Sequence, residues 1–218
     1  MNQDELKKQV ANAALQFIPD NAIIGIGSGS TVNYFIDALA TRKSKIKGAV
    51  AASLETEKRL KKIGISVYDL NSVDVMPVYI DSADEFTDFK SLLKGGGGAL
   101  TREKIIAATA KQFICIADES KEVKVLGKFP VAIEVIPIAR GLVARAMVKL
   151  GGAPEYRAGF LTDNGNIILD VYQLDLTQPT QMEETINNIT GVVCNGIFAK
   201  RGADKILIAN SQGIREIN

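Results

Sequence analysis

The tightest constraint on the fold is the alternation of short apolar runs with helix-length amphipathic stretches over the first 118 residues. Apolar runs at 22–26, 48–52, 75–80 and 113–117 have strand length, and each borders a helical pattern. The first helix is predicted from Asn2, with Glu5 three residues on and Leu6, Val10, Ala13, Ala14 and Phe17 recurring at helical spacing until Pro19-Asp20-Asn21. Further helices are predicted at 32–39, at 54–63 closed by Gly64, and at 102–110, with one more strand candidate at 65–68. Strands separated by helices of this length form a parallel sheet covered on both faces. Ligands of such sheets bind beyond the carboxyl ends of the strands.

The rhythm then changes. A strand at 133–136 precedes a helix at 138–150 ended by Gly151-Gly152. Strands at 156–161 and 167–171 flank Thr162-Asp163-Asn164-Gly165-Asn166, whose Asn-Gly pair signals a hairpin turn. Thr180 and Glu183 read as a capping box after Pro179, opening a helix that stops at Gly191, and 192–198 is a closing strand. The order β-α-β-β-α-β is that of a ferredoxin-like α+β module, and 206–209 supplies a strand that can return to the first layer. The expected architecture is therefore α/β: a Rossmann-like parallel sheet over residues 1–130 plus 201–218, and a smaller α+β domain over 131–200.

Composition removes several functions. Lys and Arg number 26 against 25 Asp and Glu, a net charge of +1, so no broad basic surface for nucleic acid is expected. No apolar run approaches the roughly 20 residues that span a bilayer, and the polar start lacks a signal-peptide core. A cytoplasmic location and no membrane partner are expected. Histidine is absent. Acid–base work must fall to a carboxylate, Lys, Tyr or Cys, and neither a histidine triad nor a histidine zinc site is open to this chain. Cys115 and Cys194 lie in apolar runs and read as buried thiols.

Three segments can carry chemistry. Gly27-Ser28-Gly29-Ser30-Thr31 follows the first strand and opens a helix, a place where exposed N–H groups favour a phosphate or carboxylate. Asp81-Ser82-Ala83-Asp84-Glu85 follows another strand; its three acids suit either Mg²⁺ or sugar hydroxyls. Lys94-Gly95-Gly96-Gly97-Gly98 leads into a helix bearing Glu103. Four glycines cost backbone entropy, which makes sense where main-chain N–H groups approach developing negative charge. Glu103 is a candidate base if its surroundings exclude water. The set suits proton transfer beside a carbonyl in a sugar phosphate.

These residues resemble the type A ribose-5-phosphate isomerase family over essentially the whole chain. The marks are the loop at 27–31, Thr56-Glu57-Lys58, Asp81 with Ala83-Asp84-Glu85, and the stretch Lys94 to Lys104. Ile116-Ala117-Asp118 with Lys121, Leu126-Gly127-Lys128-Phe129-Pro130, Glu134-Val135-Ile136-Pro137 and Thr162 to Asn166 also match. The resemblance implies interconversion of ribose 5-phosphate and ribulose 5-phosphate through a cis-enediolate, with no metal or organic cofactor. It implies that Glu103 is the base, that Lys94 and the backbone of Gly95, Gly96 and Gly97 stabilise the enediolate, and that Asp81 and Asp84 orient hydroxyls and help open the ring. Ser28, Gly29, Ser30 and Thr31 would take the phosphate, Lys7 and Lys121 would lend charge, and Ser82 and Ala83 would line the substrate. A homodimer or homotetramer is implied, with the small domain contributing to assembly. The family's acidic motif reads Asp-Gly-Ala-Asp-Glu, whereas here Ser82 holds its second position. If that position requires positive φ, the serine costs about 1 kcal/mol and displaces Asp81.

Two other classes share some of these features. A non-catalytic sugar-phosphate sensor would keep the 27–31 cradle and have no use for Glu103. An acyl or CoA transferase would use Glu103 as a nucleophile and need room for a much larger ligand.

Overall fold

A computed structural model describes residues 2–218. In chain order the elements are α1 (Gln3–Ala14), β1 (Ile23–Ile26), α2 (Ser30–Leu39), β2 (Gly48–Ala51), α3 (Leu54–Lys62), β3 (Val78–Asp81), β4 (Glu85–Phe86), β5 (Leu92–Leu93), α4 (Leu100–Thr109) and β6 (Gln112–Asp118). There follow β7 (Val131–Val135), α5 (Arg140–Lys149), β8 (Ala153–Tyr156), β9 (Ile167–Tyr172), α6 (Pro179–Asn187), β10 (Val192–Asn195), β11 (Ile197–Phe198), β12 (Lys205–Asn210) and β13 (Gly213–Ile217). No helix among the described residues is long and apolar enough to cross a membrane.

The chain divides into two compact units. The first takes the chain up to Ala83, Arg102–Lys121 and Ala203–Asn218; the second takes Asp84–Thr101 and Glu122–Gly202. The second unit is thus larger than the 131–200 expected, because 84–101 and 122–130 pack with it. Pairing explains this: β4 and β5 pair with each other and β5 pairs with β11, all within that unit.

The first unit holds a six-stranded sheet in the order β13-β12-β6-β3-β1-β2, parallel throughout except for the β12–β13 hairpin. Ile24, Ile26, Ile80, Ile114, Ile116 and Leu207 bury one face against Val32, Phe35, Ile36 and Leu39 of α2 and Leu6, Val10 and Ala14 of α1. The α1 start is capped as predicted: the Asn2 side chain accepts from Glu5 N at 2.8 Å, and the Glu5 carboxylate accepts from Asn2 N at 2.7 Å. The strand expected at 65–68 reduces to one bridge, Ala49 with Val67.

The second unit contains an antiparallel sheet ordered β10-β7-β9-β8, with α5 between β7 and β8 and α6 between β9 and β10. That is the ferredoxin-like arrangement. A three-stranded sheet, β11-β5-β4, lies in the same unit. The single strand expected at 192–198 breaks at Gly196, which donates to Ala132 O at 2.8 Å and accepts from Lys94 N at 2.8 Å. A Cβ at Gly196 would lie 2.0 Å from Lys94 O, so only glycine lets one extended segment serve two sheets.

Two local expectations are corrected. The strand expected at 156–161 occupies Ala153–Tyr156 instead, and the chain leaves the sheet at Arg157. The capping box at Thr180 and Glu183 does not form. Helix α6 starts at Pro179 with Gln178 as an N-cap that makes no side-chain bond, while Glu183 is buried and accepts from Ala199 N and Lys200 N at 2.9 and 2.8 Å.

The Thr162–Asn166 segment does more than turn. Thr162 Oγ1, Asn164 Nδ2 and Asn166 Nδ2 donate to the fully buried Glu134 carboxylate at 2.8, 3.1 and 2.8 Å, and Thr101 Oγ1 donates to its other oxygen.

Candidate active site

In the first unit, β1 runs into Gly27 and Ser28 before α2 begins. Gly27 is required by close approach: a Cβ there would sit 1.9 Å from the Asp81 carboxyl group. Thr56 Oγ1 donates to Gly27 O at 2.7 Å, which gives the Thr56-Glu57-Lys58 mark a physical purpose. Gly29 is the N-cap of α2 at φ 96° with no side-chain cap, so the first-turn N–H groups meet no side-chain acceptor from the cap. Ser30 is exposed at that helix start and Thr31 is buried.

Asp81 ends β3 fully buried. Its Oδ1 accepts from Ser28 N at 3.1 Å and Ser82 N at 2.7 Å, and its Oδ2 accepts from Tyr79 Oη. Burial, followed by the negative charges of Asp81 and Glu103, holds the Tyr79 hydroxyl well above the ordinary phenol range. Tyr79 therefore stays protonated and donates.

Glu103 lies in the first turn of α4, buried, and Ser28 Oγ donates to its Oε1 at 2.6 Å. Thus Ser28 bridges Asp81 and Glu103, two carboxylates that lie far apart in sequence.

Ser82 takes an ordinary backbone conformation: the described non-glycine residues at positive φ are Asn21, Lys90 and Gln173. Its hydroxyl donates to Ser28 O at 3.1 Å, adding a tie between the two loops. Ser82→Gly is expected to lower stability by about 1 kcal/mol, the worth of one hydrogen bond, and to leave turnover no faster than the parent's. Thermal denaturation beside a steady-state assay checks this.

Lys7 on α1 is largely shielded, 3.9 Å from Asp4. Lys121 ends the 3₁₀ turn after β6. One helical turn before Lys7, Gln3 Nε2 donates to Asp118 Oδ2 at 3.4 Å, so α1 starts beside the carboxyl end of β6.

In the second unit, the remaining candidates cluster on the glycine loop. Asp84 N donates to Leu93 O at 2.8 Å, and Asp84 Oδ2 accepts from Gly96 N at 2.8 Å. Lys94 is buried, its Nζ 5.8 Å from the Phe198 ring centre. Gly95 and Gly98 are buried, and Gly96 and Gly97 are exposed. Glu85 is structural: it accepts from Gly127 N at 2.8 Å and from Phe129 N. The three acids of 81–85 therefore serve three separate sets of donors. Among the described residues, no group of three or more His, Cys, Asp or Glu is placed to hold a metal.

Sequence reading passes over Tyr79, Arg157 and Asp170, and names Glu134 only as a mark of the resemblance. An apolar-looking strand hides Tyr79, and only the folded sheet brings Arg157 to Asp170.

A Rossmann-like sheet with an uncapped helix start, and a buried carboxylate hydrogen-bonded to a seryl hydroxyl, define the class: an α/β enzyme of acid–base chemistry acting on a small molecule. The profile of the family Ribose 5-phosphate isomerase A (phosphoriboisomerase A) matches residues 48–213, more than half of the chain. A ribose 5 phosphate isomerase A structure from Neisseria gonorrhoeae is 48% identical, covering 99% of this chain and 97% of its own, with a TM-score of 0.97. The ribose 5-phosphate isomerase A of Methanocaldococcus jannaschii is 37% identical over 98% of each chain, with a TM-score of 0.93. A D-ribose-5-phosphate isomerase solved with phospho-erythronic acid is 37% identical over 100% of each chain, with a TM-score of 0.96. The chain belongs to the ribose 5-phosphate isomerase A family and is an enzyme of the aldose–ketose isomerase class.

Proposed function

We propose that this chain interconverts D-ribose 5-phosphate and D-ribulose 5-phosphate in pentose phosphate metabolism, with Glu103 as the base. The observation that carries the reading is the burial of Glu103 in contact with the Ser28 hydroxyl. In the open-chain aldose, the Glu103 carboxylate takes the proton from C2, electrons move into the C1 carbonyl, and a cis-enediolate forms. The same carboxyl group returns the proton to C1, while the O2 hydroxyl gives up its proton to become the ketone and the adjacent O1 takes one up to become the hydroxyl. Lys94 and the N–H groups of Gly95 and Gly97 stabilise the enediolate oxygens, while the Gly96 N–H is held by Asp84. Asp84 orients hydroxyls. Asp81, enclosed by three donors, acts by holding the Ser28 and Ser82 amides, a narrower role than direct ring opening. The phosphate goes to Gly29, Ser30 and the Thr31 main chain, next to Ser28, whose own N–H and hydroxyl are turned to Asp81 and Glu103, with Lys7 and Lys121 supplying charge.

Conversion of ribose 5-phosphate in D₂O tests this. The reading expects deuterium at C1 of the ketose, carried by an exchanging carboxyl. Product with no solvent deuterium at any turnover would point to a direct hydride shift and overturn it.

The phosphate assignment makes a separate prediction. Ser30→Asp places a competing anion at the uncapped start of α2. It is expected to weaken inhibition by inorganic phosphate at least about tenfold, equivalent to ~1.4 kcal/mol. An unchanged inhibition constant would count against the cradle. A homodimer is the proposed assembly, with a homotetramer as the larger form. Support comes from Ile138, Leu142 and Val148, exposed on α5 and the turn before it, and light scattering decides between the two.

A further inference from the structure

The carbonyl groups of the second unit's glycine loop are gripped by Arg157. Its Nη1 donates to Gly95 O and Gly96 O, both at 3.2 Å, and its Nη2 donates to Gly95 O at 3.1 Å. The other side of the guanidinium is held by Asp170 on β9: Nε donates to Oδ2 at 2.8 Å and Nη2 to Oδ1 at 2.5 Å. The Phe160 ring lies 5.3 Å from the guanidinium carbon. Both charged side chains are mostly shielded, at 19% and 16% exposure, so solvent weakens this fork less than it would a surface pair.

A trans peptide points its C=O and N–H in opposite directions. Fixing the Gly95 carbonyl on Arg157 therefore turns the Gly96 N–H the other way, where it meets Asp84 Oδ2. Fixing the Gly96 carbonyl likewise turns the Gly97 N–H away from Arg157. Peptides between glycines rotate readily because no Cβ restricts them. A flipped 96–97 peptide would present a carbonyl oxygen, rather than an N–H, to a developing enediolate.

We propose that Arg157, held by Asp170, is a positioning residue of the isomerisation, locking the 95–96 and 96–97 peptides so that the Gly97 N–H and Asp84 face the reacting substrate. The inference rests on the isomerase reading above and on the glycine loop being its oxyanion side. Lysine cannot replace the fork, because an ammonium group is a point charge rather than a planar set of donors.

The test is steady-state conversion of ribose 5-phosphate by the full-length parent, Arg157→Ala and Arg157→Lys. It is read with inhibition by phospho-erythronic acid, whose carboxylate resembles the enediolate, and by inorganic phosphate. Arg157→Ala is expected to lose about 10- to 100-fold in kcat, below the loss of a whole oxyanion donor, with KM within about twofold. Phospho-erythronic acid should weaken by a similar factor, and inorganic phosphate should not change. Added guanidinium should restore part of kcat to Arg157→Ala and none to Arg157→Lys. A folded Arg157→Ala protein with parental kcat overturns the proposal, and so does parallel weakening of phosphate, which would mean general loosening. If Arg157→Ala does not fold, Arg157→Lys decides: lowered kcat at constant KM supports the lock, and parental kcat overturns it. An inactive parent would overturn the isomerase reading together with this inference, whereas an active parent with equally active variants overturns this inference alone.

Discussion

Glu103→Gln should lose at least about 10²-fold in kcat, the lower range for removing a general base. The amide keeps the volume of the side chain and can still accept from Ser28 Oγ, so the fold and substrate affinity should be nearly parental. The loss should therefore appear in kcat with KM little changed, as expected for a group that acts only in the transition state. Running both proteins with excess EDTA would show at the same time whether turnover depends on a divalent cation. Turnover near the parental rate in the glutamine variant would remove Glu103 from the mechanism and require a different base for the same isomerisation.

The second large effect concerns stability. Glu134→Ala removes the common acceptor of Thr101, Thr162, Asn164 and Asn166 inside the second unit. The buried donors Thr101 and Thr162, left without an acceptor, cost about 1–3 kcal/mol each, while the more exposed Asn164 and Asn166 turn to water. A net loss of about 4 kcal/mol is expected, which for a chain of this size is a fall in Tm of roughly 10 °C. Glu134→Gln should fall between parent and alanine, since its amide keeps one acceptor and adds a donor facing other donors. A Tm within about 2 °C of the parent in Glu134→Ala would show that the network contributes little.

Periodicity and turn chemistry carried much of the architecture. The parallel layer follows from apolar runs of strand length between helices, and the β-α-β-β-α-β order is visible from 131 onward. Elements of two residues are another matter: β4, β5 and β11 are too short for any alternation to register, and they carry 84–101 into the second unit. Glu183 shows how spacing misleads. Its position relative to Thr180 satisfies the capping-box pattern, yet its carboxylate is taken by the amides of Ala199 and Lys200, a tertiary partner that no local rule contains. At the candidate site, Glu103, Asp84 and the two glycine loops were legible because their residue types are costly without a purpose. Tyr79 was not, because it sits in an apolar strand and meets Asp81 two residues on only through burial, and Arg157 was not, because pairing of neighbouring strands sets its partner Asp170. Ser82 departs from the family motif without strain, since its backbone lies outside the left-handed region.

The division of the chain also bears on how the protein is made. It passes between the units four times, so the first unit is assembled from three separate stretches. The strand between β6 and β13 is β12, which belongs to the stretch from Ala203 on. During synthesis the second unit can complete its sheets as soon as Gly202 has emerged, whereas β6 keeps an open, hydrogen-bonding edge until β12 arrives. An arrested or truncated chain ending before Ala203 would expose that edge next to Ile114 and Ile116, which makes it a substrate for chaperones or a seed for aggregation.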